Sequence, residues 1–352
     1  MLLAIRSVAL GAMVLAMGPA TTRGQEPVPA TIETTMATHG DEIRQLAYDG
    51  RMATFFAAEK PATADDHFTI VFEKPVIVKS VVATTGRPDG SGKIDGGMLE
   101  ASADGKSFHK LSGFTDGITR GEAQKEPVRA IRIRPGTTTA PIAIREVALV
   151  TDRPVPVFRY PVEFIVDTTD APELKEWTQD VARTCERAYP MINDELASDG
   201  FQPPRVIRLT ISKAYRGVAA TASDRIIGSV DYFTNHRKDI GAMVHETVHV
   251  VQSYRRGKRP GWLVEGVSDY IRFFRYEPGK LGRINPRTAH HDGGYRVSAA
   301  FLAYLTAKYD PEIVRKLNAA MRDARYEDSL FEKLTGKDLK ELDAEWRASL
   351  QP

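Results

Sequence analysis

The sequence predicts two domains in series, an all-β sandwich followed by an α+β domain whose helices crowd toward the C-terminus. Three observations carry that reading. At 352 residues the chain is too long for one comfortable core. From about Thr31 to Val150 short β-branched runs alternate with turn residues and show almost no helical periodicity. Past Pro154 and Pro156 the texture changes to a few strands and then to a succession of helical patterns.

Residues 1–24 read as a cleaved secretory signal, with Arg6 as the positive flank, an apolar run from Ser7 to Met17, and Gly18-Pro-Ala20 as the small-residue cleavage region. The run is too short for a transmembrane span, so a secreted or periplasmic location is expected. The sandwich is assigned to 25–150. Its strands are read at 67–72, 76–82, 98–102, 108–111, 128–134 and 142–150, each closed by turn residues such as Ala103-Asp-Gly105 or Pro135-Gly136. Residues 151–157 read as a linker. The second domain, 158–352, starts with a strand at 162–166, an amphipathic helix at 174–189, and strands at 206–211 and 225–231. Helices follow at 240–256, 263–276, 295–308, 311–324 and 339–350.

Composition narrows the function. The 48 basic and 46 acidic residues leave a net charge of +2, which gives no reason to expect nucleic acid as a partner. The single cysteine, Cys185, can make no disulfide within the chain and excludes a thiolate-based structural metal site; it is expected to face the core of its helix.

The chemistry is concentrated in thirty residues. His245-Glu-Thr-Val-His249 is an H-E-x-x-H motif inside a helical run, with Asp239 as a plausible N-cap. A spacing of four puts both imidazoles on one helix face, where they can reach one ion, and Glu246 lies beside them to take a proton from a water. A catalytic zinc keeps three protein ligands. Gly257 and Pro260-Gly261 reverse the chain, so that the next helix brings Glu265 back over the histidines. Asp269, at i+4 from Glu265, faces the same way and can accept a hydrogen bond from the non-metal nitrogen of His245.

Residues 241–253, followed by Gly261-Trp-Leu-Val-Glu-Gly-Val-Ser-Asp-Tyr-Ile-Arg272, resemble the basic secretory protein family, zincin-type metallopeptidases of plants and bacteria. The segments Gly217–Thr221, Ile226–Phe233, Gly294–Leu302 and Phe331–Gly336 agree with it, so that the resemblance spans about 157–350. It implies one zinc ion held by His245, His249 and Glu265, with Asp269 behind His245 and Glu246 as the base. It also implies a role for Tyr295, as a phenol that donates to the tetrahedral intermediate. The edge strand before the zinc helix, read here as 225–231, is implied to pair with an extended peptide substrate. His290 and His291 are read as part of a polar loop. The first half, through Asp49-Gly50, 67–78 and Leu99–Phe108, resembles the discoidin (factor V/VIII C-type) jelly roll, whose loops often bind glycans or cell-surface polymers. The resulting expectation is a secreted zinc peptidase with a surface-binding module. The alternative is a non-catalytic carbohydrate-binding protein on a zincin scaffold.

Overall fold

A computed structural model describes residues 26–254 and 257–350, so the expected signal segment lies outside the described residues. Two cores are present. The first belongs to a sandwich of nine strands: β1 (Ala30–Thr34), β2 (Phe56–Pro61), β3 (Phe68–Val76), β4 (Val78–Thr85), β5 (Met98–Ser102), β6 (His109–Gly113), β7 (Ile118–Gly121), β8 (Val128–Arg134) and β9 (Pro141–Thr151). They form a five-stranded sheet, β1-β3-β8-β5-β6, and a four-stranded sheet, β2-β9-β4-β7, with every pairing antiparallel. The inward positions of the two sheets, such as Phe68, Ile70 and Phe72 on β3 and Val81 and Ala83 on β4, meet in one apolar core. Strands β1, β2 and β7 were not read from the sequence. Each is four to six residues long, and Pro61 ends β2, so their alternation is too brief to register.

The chain between the domains is not a free tether. Val28 N–H donates to Pro154 O, the Tyr48 hydroxyl to Val155 O, and Phe158 N–H to Tyr48 O.

The second domain places a four-stranded sheet against helices. Strand β10 (Glu163–Asp167) leads into helix α1 (Lys175–Glu195), followed by β11 (Val206–Ser212), β12 (Ala219–Ala222) and β13 (Arg225–Ser229). The order is β10-β11-β13-β12. β10, β11 and β13 are parallel, and β12 is antiparallel at the edge. This corrects one expectation: β13 is interior, its residues 230–231 already belong to α2 (Val230–Asn235), and the edge strand is β12. The Ala222–Arg225 turn folds β12 back as a hairpin, which takes the edge away from β13.

Helices α3 (Ile240–Gln252) and α4 (Gly261–Tyr270) form the expected pair. A π-helical turn, Ile271–Tyr276, extends α4. Then come α5 (Tyr295–Lys308), α6 (Ile313–Arg322), α7 (Ser329–Thr335) and α8 (Leu339–Ser349). Helix α3 is buried on nearly every side, with Met243, Val244, Val248 and Val251 at zero exposure. Four valines and a threonine give it modest intrinsic propensity, so packing rather than propensity holds it helical. It stops four residues earlier than the sequence reading, where Ser253 turns left-handed and its N–H caps back to His249 O.

Candidate metal centre

The two histidines stand one turn apart on α3 and Glu265 faces them from α4. The three candidate ligand atoms form a nearly equilateral triangle. His245 Nε2 is 3.1 Å from His249 Nε2 and 3.2 Å from Glu265 Oε2, and His249 Nε2 is 3.3 Å from that same oxygen. These are the residues whose ligand atoms converge as a metal-holding group.

Protonation makes this triangle informative. Asp269 Oδ1 lies 2.7 Å from His245 Nδ1, and a carboxylate only accepts, so Nδ1 carries the proton and Nε2 presents a lone pair. His249 is fixed in the same sense by a neutral partner. Gln252 Nε2 donates to Val264 O at 2.9 Å and to Ser268 Oγ at 3.2 Å, which leaves Gln252 Oε1 to accept from His249 Nδ1 at 2.8 Å. Two nitrogen lone pairs and a carboxylate oxygen thus face one another, with His245 and Asp269 almost wholly buried. Positive charge placed among these atoms stabilises such a set. Tetrahedral ligands about 2.0–2.1 Å from a zinc ion stand about 3.4 Å apart, which the observed edges match closely. The donor set of two imidazoles and one carboxylate therefore fits a divalent ion of zinc's size and chemistry.

The electrostatics show that the same carboxylates also attract a proton to His245 Nε2, which a bound metal ion would displace. Burial works against a charge on His245, yet Asp269 and Glu265 overcome it and lift its pKa to about 9. Burial also raises the Glu265 carboxyl, but the two histidines outweigh it and bring it down to about 2. The centre favours positive charge at its middle.

Glu246 turns its carboxylate toward β12. The Thr221 hydroxyl lies 2.7 Å from Glu246 Oε2 and 3.0 Å from Glu246 O, so one hydroxyl proton serves either oxygen and ties the edge strand to the helix. Tyr295 lies across the cleft at the start of α5. Its ring is stacked 6.2 Å from that of His245, and it is 59% exposed. The charge of Glu265, followed by burial, raises its pKa, which keeps the phenol protonated. Its backbone is left-handed, with φ at 45°, a costly conformation for an aromatic residue. These side chains line one cleft of about 1310 Å³, walled by β12, α3, α4 and the start of α5.

The remaining assignments fall elsewhere. His290 and His291 do not line this cleft. Both are tied to Asp343 of α8, and His291 packs edge-on against Trp262 at 5.0 Å. Asp239 precedes α3 but makes no capping bond; its carboxylate pairs with Arg272 and accepts from the Tyr232 hydroxyl. Cys185 is fully buried, and burial pushes its thiol up to about 12. Thr221, Gln252 and Ser268 were not singled out in the sequence. Gln252 could have been, since it stands at i+3 from His249 on the same helix face.

Residues 163–346 match the family described as peptidase of plants and bacteria. The chain belongs to that family. Its match covers all of the metal cleft and ends within α8. A comparison with curated proteins finds no match. Solved structures similar to the N-terminal region include CBM32-1 from a family 31 glycoside hydrolase of Clostridium perfringens, at 17% identity, TM-score 0.30, covering 34% of this chain and 92% of that one. Another is the family 32 CBM of C. perfringens NanJ in complex with galactose, at 14% identity, TM-score 0.29 and the same coverages. A third is the C-terminal domain of a chitobiase from Bacteroides fragilis, at 22% identity, TM-score 0.28, covering 35% of this chain and 93% of that one. The sandwich of this family member is established by its own two sheets and shared core.

Proposed function

We propose that the chain is an exported, zinc-dependent peptidase that acts on peptides or proteins, with its N-terminal sandwich serving as a glycan- or cell-surface-binding module. The observation that carries the reading is the convergence of His245, His249 and Glu265 within 3.3 Å, with every non-ligating nitrogen already committed to a fixed acceptor. A zinc ion there supplies a Lewis acid that polarises a carbonyl and acidifies water. The chain's own residues do the rest. Glu246 accepts the proton of the attacking water and returns it to the leaving amine, a contribution of about 10²–10⁴-fold. Asp269 and Gln252 hold the two imidazoles in the ligating tautomer. Thr221 anchors Glu246, and β12 offers an unpaired strand edge to an extended substrate. Tyr295 presents a protonated phenol where charge develops on the scissile carbonyl.

The test is direct. Purified protein should contain one zinc per chain by mass spectrometry and should hydrolyse unstructured peptides in a chelator-sensitive manner. Glu246→Gln should keep the metal and lose about 10²–10⁴-fold in kcat. Absence of stoichiometric metal, or unchanged turnover in that variant, would overturn the reading. For the module, retention of the full-length Glu246→Gln protein on a glycan array is the expected result; no retention on any glycan would leave the sandwich a structural domain.

A further inference from the structure

At the N-terminal end of α3 the metal cleft adjoins a second recess of about 630 Å³, and Asp239, Arg272, Phe273 and Arg296 line both. Five cationic side chains, Arg237, Lys238, Arg272, Lys280 and Arg296, face two carboxylates, Asp239 and Glu277. Both carboxylates are already committed. Arg272 pairs with Asp239 and, through Nε, with Glu277 Oε1 at 2.7 Å. Lys280 Nζ takes the other Glu277 oxygen at 3.0 Å, and the Tyr232 hydroxyl donates to Asp239 Oδ2 at 2.7 Å. Among the described residues Arg237, Lys238 and Arg296 form no ion pair. The surplus of positive charge therefore belongs to these three.

Arg296 is also held in place. Its guanidinium lies 4.7 Å from the centre of the buried Phe273 ring, and Arg272 packs on the same ring at 4.7 Å. A guanidinium steadied on an aromatic ring loses less freedom when it binds an anion. Arg296 follows Tyr295 directly, so it stands one residue from the wall that faces the metal ligands. The positive end of the α3 dipole opens at the same place and acts with the same sign.

We infer that this recess is a binding site for a carboxylate of the substrate peptide, either an acidic side chain near the scissile bond or the chain's C-terminal carboxylate. The inference rests on the peptidase reading and narrows its substrate class to acidic peptides. Arg296 supplies the planar pair of N–H donors that a carboxylate accepts, and Arg237 and Lys238 add long-range attraction. Neutral peptides gain none of this.

The experiment uses the full-length, zinc-loaded protein and a matched set of fluorescent peptides. Glu or Gln stands at each position around a common cleavage sequence, and each peptide is made with a free or an amidated C-terminus. Peptides that carry the recognised carboxylate, as Glu or as a free C-terminus, should show a KM about threefold to tenfold below that of their Gln or amidated partners, with the ratio shrinking as salt rises. The double variant Arg296→Gln, Arg237→Gln should bring that ratio close to one, whereas Lys333→Gln on α7 should leave it in place. If amidation alone raises KM, the recess holds the C-terminal carboxylate; if only Glu→Gln raises it, the recess holds a side chain. Equal KM values across all charge states, or a preference untouched by the double variant, overturn the inference while the peptidase reading stands. Anisotropy binding of the same peptides to Glu246→Gln protein separates the two claims. Preferential binding of acidic peptides with no cleavage by the wild type would sink the peptidase reading and keep the recess.

Discussion

Asp269 and Gln252 do the same task with different chemistry: each fixes one imidazole, Asp269 with a charge and Gln252 with an amide that is itself held at two points. Asp269→Asn should keep a hydrogen-bonding group of the same size yet lose the charge and the strict acceptor character. Metal affinity should fall about 10–100-fold, measured by competition with a chromogenic chelator. An unchanged affinity would mean that His245 is oriented by packing alone. His245, Glu246, His249, Glu265 and Asp269 were legible as a set because helical spacing of four is a rigid ruler and the chain reversal at Gly257–Gly261 is short. Thr221 was not legible. It reaches Glu246 from a strand 25 residues upstream, and no local pattern records where a hairpin will fold back. The recess cations were missed for the same reason: Arg237, Lys238, Arg272 and Arg296 lie on three separate segments.

At the scale of elements, the metal centre depends on how closely the helices approach. Gly266 follows the candidate ligand Glu265 on α4, and a Cβ added there would stand 2.7 Å from Ser298 Cβ on α5. That glycine permits the close α4–α5 contact. Gly266→Val should push the helices apart, destabilise the domain by about 1–3 kcal/mol and weaken metal binding through displacement of Glu265. Paired thermal unfolding with and without zinc measures both effects; a variant with wild-type stability and affinity would show that α4 has slack the geometry does not suggest. The same crowding shapes the chain beyond α3, where a Cβ added to Gly257, at φ +84°, would stand 2.7 Å from Ala324. Most helices were legible because each presents one broad apolar face. Helix α7 was seen only as a motif, since seven residues give barely two turns of periodicity. The π-helical turn after α4 was also invisible, because hydrogen-bond registers i+4 and i+5 share nearly the same apolar pattern over six residues.

At the scale of the whole molecule, the two domains are joined by a buried charge cluster. Arg44, 2% exposed on the 3-10 turn Arg44–Tyr48 of the sandwich, reaches Glu163 on β10 and Glu186 on α1 at 2.5 Å each. Val162 N–H donates to Gln45 Oε1 at 2.9 Å, and Ile43, Leu46 and Val206 form a small apolar contact beside it. Arg44→Ala would leave Glu163 buried without its cation and Glu186 with Arg183 as its remaining one, and should destabilise the protein by about 3–5 kcal/mol, read as a lower or split thermal transition. A single transition at the wild-type temperature would show that the cluster adds nothing net. A second prediction belongs to the sandwich. Burial, with the neighbouring Asp49 charge, raises Glu146 from its ordinary 4.5 to about 7. The folded domain therefore holds more protons than the unfolded chain between those pH values, and its stability should fall as pH rises from about 4.5 to 7. Glu146→Gln should flatten that slope in thermal melts recorded across the window; an unchanged slope would assign it to other groups.

By itself the sequence determined that there are two domains of different class, which helices carry the H-E-x-x-H, Glu and Asp set, and that the single thiol takes no part. Those properties rest on local periodicity and fixed spacing, which a linear pattern records directly. Only the tertiary structure decided that β12 rather than β13 is the open edge, that Thr221 and Gln252 complete the centre, and that the histidines at 290 and 291 turn away from it. The same holds for the cationic recess behind the cleft and for Arg44 locking one domain to the other. Each of these depends on which distant segments meet when apolar faces are buried, and that choice is made by the packing of the whole chain.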